Sequence, residues 1–136
     1  MARLEILVAE DNAVNQKLMA HMLEALGHDC VFAADGQEAV AHAAKGGFDV
    51  VLMDVQMPVL DGIGATRRIR ELGTAAAKVP IVAVTANAMA DDREKYLAAG
   101  MDGYVSKPLN LTNLAAAIER IREKTEAPRL LGRSWA

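Results

Sequence analysis

Five side chains suited to handling a phosphoryl group lie at or just beyond the ends of short apolar runs: the acidic pair Glu10 and Asp11, then Asp54, Thr85 and Lys107. Taken singly, an Asp after a strand is a turn residue or helix cap, and a Thr or Lys there is solvated surface. Together and in this order they are far more specific than any one short motif. Three carboxylates and one ammonium sum to a charge of −2, a costly concentration until a divalent cation brings it to zero. Few carboxylates, with sites left over for water or phosphate, suit magnesium, whereas zinc prefers nitrogen and sulfur donors. His21, His28 and His42 fall at no strand end and match no metal spacing, so they receive no role. With the incoming oxygens neutralised, a carboxylate can attack phosphorus and form an acyl phosphate, and Asp54 is the nucleophile of choice. Lys107 offers a compact charge to one phosphoryl oxygen, and Thr85 offers a hydroxyl to another.

These groups can cooperate only if the fold collects them, and the elements between them say how. Apolar runs alternate with helical patterns five times, the signature of βαβ units with helices on both faces of a parallel sheet. Strands are predicted at Leu4 to Ala9, Cys30 to Ala33, Phe48 to Met53, Ile81 to Val84 and Tyr104 to Ser106. Val50 to Met53 is continuously apolar, as in a central strand covered on both sides. Asn12 is placed to cap a first helix whose apolar positions Val14, Leu18, Met22 and Leu26 recur at intervals of four, ended by Gly27. Asp35 and Glu38 have the spacing of a capping box. Further helices are predicted to Leu72 after the Asp61-Gly62 turn, and over Asp91 to Ala99. The last helix has Leu111, Leu114, Ile118 and Ile121 inward, Glu119, Arg120, Arg122 and Lys124 outward, and an end before Pro128. Ligands of an open parallel sheet bind beyond the carboxyl ends of its strands, and right-handed crossovers bring all five groups to that rim.

A chain of 136 residues has room for one such domain, residues 1–126, followed by a tail or linker over 127–136. It is 52% hydrophobic with only 4% aromatics, so its core is aliphatic. A net charge of −3 offers no footprint for a nucleic-acid backbone. The single Cys30 cannot close an internal disulfide and is expected as a buried strand thiol in a reducing cytoplasm. No run approaches the eighteen or so apolar residues of a membrane span, and direct membrane contact is not expected.

The five positions, in their order at the ends of the first, third, fourth and fifth strands, resemble those of response-regulator receiver domains over residues 3 to about 124. The resemblance implies a doubly wound α/β sheet of order 2-1-3-4-5, the flavodoxin-like order that general accounts of this fold already illustrate with a receiver. It implies Asp54 as phosphoacceptor, Glu10 and Asp11 as magnesium-binding acids, and Gln56 as donor of a backbone carbonyl to the metal. Thr85 and Lys107 become phosphate partners, and Tyr104 the switching aromatic that enters the space Thr85 vacates. The runs Glu10 to Gln16, Met53 to Pro58 and Val84 to Met89 are similar to receivers attached to hybrid histidine kinases. Such receivers take phosphate from a sensor histidine kinase and pass it to a histidine phosphotransfer protein. They act as signalling modules that assist their own phosphorylation and dephosphorylation, not as enzymes on a separate substrate. Gln56 and Asn87 occupy positions that vary within the family and bear on dephosphorylation.

A partner's histidine must reach Asp54, so an apolar rim of Val14, Met57, Met89, Pro108 and Leu109 is expected around the pocket, with Asn15 of the first helix beside it. Periodicity equally allows Val14 to join Leu18 in the core. A dehalogenase-like phosphatase is the rival enzyme class, but it needs an acid two residues after the nucleophile, and Gln56 stands there. A docking module with a vestigial site is the rival binding class, which magnesium-dependent labelling by acetyl phosphate separates from a working receiver.

Overall fold

The computed structural model describes the backbone of residues 3–86 and 90–135, and the side-chain surroundings of 3–86 and 92–123. Five parallel strands, β1 (Glu5–Ala9), β2 (Asp29–Ala33), β3 (Val50–Asp54), β4 (Ile81–Thr85) and β5 (Gly103–Ser106), form one sheet. Their order, β2-β1-β3-β4-β5, is the one expected. Helices α1 (Ala13–Ala25), α2 (Gly36–Lys45), α3 (Gly62–Arg70), α4 (Ala90–Ala99) and α5 (Leu111–Trp135) connect or follow the strands. A 3-10 turn over Ala75–Lys78 precedes β4.

Strand alternation sorts the core into two layers. Ile6, Val8, Val50, Leu52, Val82, Val84 and Val105 face α1 and α5, where Met19, Met22, Leu23, Leu114, Ile118 and Ile121 meet them. The alternate residues Leu7, Ala9, Val51, Met53, Ile81 and Ala83 pack with Ala39, Ala65, Ile69 and Tyr96 of the other helices. β3 and β4 are buried at every position, which explains their unbroken apolar runs. Each fully buried Leu or Ile contributes about 1.5–3 kcal/mol.

The caps follow the sequence. Asn12 Oδ1 accepts from the N–H groups of Val14 and Asn15 at 2.9 and 3.0 Å, and Asp35 Oδ1 accepts from Glu38 N at 2.8 Å. Glu38 returns the contact to Ala34 N at 3.3 Å, one residue earlier than a strict capping box. Gly62 is required at the start of α3 because a Cβ there would collide with the Asp54 carbonyl oxygen.

Four expectations are corrected. The inward stripe of α1 is Met19, Met22 and Leu23, while Val14 and Leu18 are 73% and 50% exposed. A strict spacing of four drifts around a helix of 3.6 residues per turn, so those two positions rotate off the face that Met22 buries. Arg122, assigned to the outer face of α5, is buried, and Leu111 at its start is exposed. Helix α5 also runs through Pro128 to Trp135 instead of ending before the proline. Proline removes one helical N–H and does not by itself stop a helix whose neighbours keep the ladder. Cys30 is half-buried on edge strand β2 instead of fully enclosed, and what burial it has pushes its thiol up. Among the described residues, no helix is long and apolar enough to cross a membrane.

Candidate phosphoacceptor site

Alternation continues past the strand ends and decides which groups meet. Glu10 follows β1 in phase with Ile6 and Val8, and Asp54 closes β3 in phase with Val50 and Leu52, so both carboxylates project toward the α1 and α5 side. Both are buried. With exposed Asp11 they bring three carboxylate oxygens within 4.8 Å of one another. Lys107, just beyond β5, reaches in from the neighbouring edge: its Nζ lies 3.0 Å from Asp54 Oδ2 and 4.0 Å from Glu10 Oε1. The other oxygen of Asp54 accepts the Gln56 N–H at 3.0 Å, so the carboxylate is held at both ends.

Glu10 is anchored by a shell that the sequence did not single out for this purpose. Its Oε2 accepts from Asn12 N at 3.0 Å, its Oε1 from Asn15 Nδ2 at 3.4 Å, and its backbone carbonyl from Gln16 Nε2 at 2.6 Å. Burial nevertheless pushes the Glu10 carboxyl above its ordinary range. The Asn12 N–H opposes this, the charge of Asp54 adds to it, Lys107 lowers it, and a hydrogen bond with Asp11 raises it. Three acids with converging oxygens, two of them buried, fit a hard divalent cation.

Thr85 ends β4 in phase with Ile81 and Ala83, on the opposite side of the sheet from Asp54. It is buried, and its hydroxyl lies 2.8 Å from the phenol oxygen of Tyr96 on α4. A cavity of about 210 Å³ nonetheless places Asp54, Gln56, Thr85, Tyr96 and Lys107 on one lining. Asp92 and Lys95 of α4 line it too. None of these three α4 residues was singled out from sequence, because nothing local ties a helix position to a pocket made by distant strands. Tyr104 is half-buried on the layer that Thr85 faces, with the guanidinium of Arg93 4.7 Å above its ring.

A second depression, of about 360 Å³, opens beside the first and shares Lys107. Glu10, Asn15, Leu18, Met19, Pro108 and Leu109 complete it, and exposed Val14 lies on the same first turns of α1 as Asn15. Of the expected rim, Pro108 is exposed, Asn15, Met57 and Leu109 are half-buried, and Met89 lies outside the described residues, as does Asn87. Val14 therefore belongs to the surface and not to the core.

Comparison with known proteins agrees with this fold. The response regulator receiver domain family matches residues 6–119. The sensor histidine kinase RcsC of Salmonella typhimurium is 44% identical over 126 residues, covering 90% of this chain and 13% of that protein. The chain thus spans about an eighth of the curated relative it matches, a kinase that carries such a segment within it. Among solved structures, the receiver domain of the sensor histidine kinase PA1611 from Pseudomonas aeruginosa is 45% identical, with a TM-score of 0.79 over 88% of this chain and 97% of that one. Its active-site cleft holds a magnesium ion. The receiver of Saccharomyces cerevisiae Ssk1, crystallised with the histidine phosphotransfer protein Ypd1, is 34% identical, with a TM-score of 0.75 over 89% of this chain and 88% of that one. With its fold and a family match over residues 6–119, most of its length, this chain is a member of the response regulator receiver domain family, similar to the receivers carried by histidine kinases.

Proposed function

We propose that Asp54 is the phosphoacceptor of a phosphorelay receiver, taking a phosphoryl group from a sensor histidine kinase and passing it to a histidine of a phosphotransfer partner. The observation that carries this reading is Lys107 Nζ at 3.0 Å from a buried Asp54 carboxylate, within a cluster of three converging acids. A carboxylate oxygen of Asp54 attacks phosphorus, the bond from phosphorus to the donor breaks, and the donor leaves with its electron pair. Lys107 then transfers its contact from the carboxylate to a phosphoryl oxygen, and the Thr85 hydroxyl donates to another. Glu10, Asp11 and Asp54, with the Gln56 backbone carbonyl, would hold magnesium, which when bound neutralises phosphoryl oxygens. Tyr104 follows Thr85 as the switching aromatic.

The partner's helix would seat on Val14, Asn15, Met57, Met89, Pro108 and Leu109, beside the acidic centre. The depression next to Lys107 and the exposure of Val14 support that reading, as does the complex of the Ssk1 receiver with Ypd1. A cytoplasmic place and the absence of nucleic-acid partners belong to the same proposal. Acetyl phosphate with magnesium is expected to add one phosphoryl mass to the wild type and none to Asp54→Asn. Labelling that persists in Asp54→Asn would overturn the assignment.

A further inference from the structure

Helix α4 holds both residues expected to move when Asp54 is phosphorylated. Tyr96 is buried among Leu7, Ala83 and Met101, and its phenol oxygen lies 2.8 Å from the Thr85 hydroxyl, a full-strength O–H···O distance. Arg93, one helical turn earlier, stacks over the ring of Tyr104. Thr85 and Asp54 leave the sheet on opposite faces, and their strands are neighbours, with Asp54 paired to Val84. A phosphoryl group on Asp54 therefore has to draw the Thr85 side chain around the strand end, away from the layer in which Tyr96 sits. A hydroxyl has a single proton to donate, and the lone pairs and position it shares with Tyr96 tie it to α4.

We propose that Tyr96 is a positioning residue that latches Thr85 in the resting state, so that α4 sets the free-energy threshold of the phosphorylation switch. This rests on the reading of Asp54 and Thr85 given above. The phenol meets the Thr85 hydroxyl, and Tyr96→Phe keeps the ring that fills the core while deleting that contact. The balance then moves toward the state in which Thr85 faces Asp54, and ligands of that state bind more tightly in proportion.

The test uses beryllofluoride with magnesium as the phosphoryl mimic on the full chain, with affinity followed by fluorine NMR and stability by denaturant unfolding. Tyr96→Phe is expected to bind the mimic roughly fivefold more tightly than wild type, the worth of one ordinary hydrogen bond. Thr85→Val is expected to bind it more weakly, and adding Tyr96→Phe to Thr85→Val is expected to change nothing further. A core residue acting only through packing would alter unfolding without this dependence on Thr85. Unchanged or weaker binding by Tyr96→Phe overturns the latch, since it would make the phenol a bystander or a partner that orients Thr85 toward phosphate. An equal gain with and without Thr85 also overturns it. A wild type that shows no Asp54-dependent mimic binding sinks the phosphoacceptor reading itself, an outcome distinct from a wild type that binds while Tyr96→Phe gains nothing.

Discussion

Asp11 and His28 show how differently two polar side chains of this chain are used. Asp11 is the exposed member of the acidic cluster, so replacing it disturbs little else. Asp11→Ala is expected to leave unfolding stability within about 0.5 kcal/mol while weakening magnesium binding about tenfold or more. Magnesium titration followed by thermal unfolding checks both, because a ligand of the folded state raises its stability by mass action. An unchanged titration would remove Asp11 from the site. His28, which received no role from sequence, is a buried structural residue whose Nδ1 accepts the Leu4 N–H at 3.1 Å. Burial, and then the positive charge of Arg122, lower its pKa below the ordinary 6.5. The folded protein therefore keeps His28 neutral where the unfolded chain takes up a proton. That contribution to stability is complete above about pH 6.5 and declines as pH falls below it. The stability advantage of wild type over His28→Gln is expected to shrink between pH 7 and 5.5, and an advantage constant with pH would contradict this.

At the scale of elements, α1 divides its labour between its two faces. Met19, Met22 and Leu23 anchor it on the sheet, while Val14 and Leu18 are left over for another surface. Val14→Ala is therefore expected to change stability by less than about 0.5 kcal/mol. Leu109, half-buried against the α1 and α5 core layer, is expected to cost about 1–2 kcal/mol when cut to alanine. Both substitutions are expected to slow phosphoryl exchange with a histidine phosphotransfer protein several-fold, as for contacts near the centre of an interface. Labelling by acetyl phosphate, which needs no docking, is expected to stay near the wild-type rate. Parallel loss of both routes, or of neither, would show that the surface is not used for docking.

For the molecule as a whole, the question is where the folded unit ends along α5. Its described core contacts come from Leu114, Ala117, Ile118 and Ile121, although the helix itself runs to Trp135. The domain is proposed to be complete by residue 126, with 127–136 as a helical linker or tail. A chain ending at residue 126 is expected to unfold cooperatively within about 5 °C of the full-length midpoint and to label equally with acetyl phosphate. A larger drop would assign residues 127–136 to the fold.

How much of this was legible beforehand depends on the range of the interaction involved. Strand positions and the caps at Asn12 and Asp35 follow from periodicity and local hydrogen bonding, which neighbouring residues encode, while the sheet order came only with the resemblance to receivers. The acids, Thr85 and Lys107 were legible for a related reason: polar side chains ending apolar runs have one rim to occupy in a parallel sheet. Which of them touch was decided by tertiary packing. Alternation sends Asp54 and Glu10 to one face and Thr85 to the other, so Lys107 rests on Asp54 while Thr85 rests on Tyr96. The exposure of Val14, the burial of Arg122 and the entry of α4 into the pocket depend on how each helix rolls on the sheet. That roll is set by the fit of many side chains at once, and a spacing of three or four along one segment leaves it open.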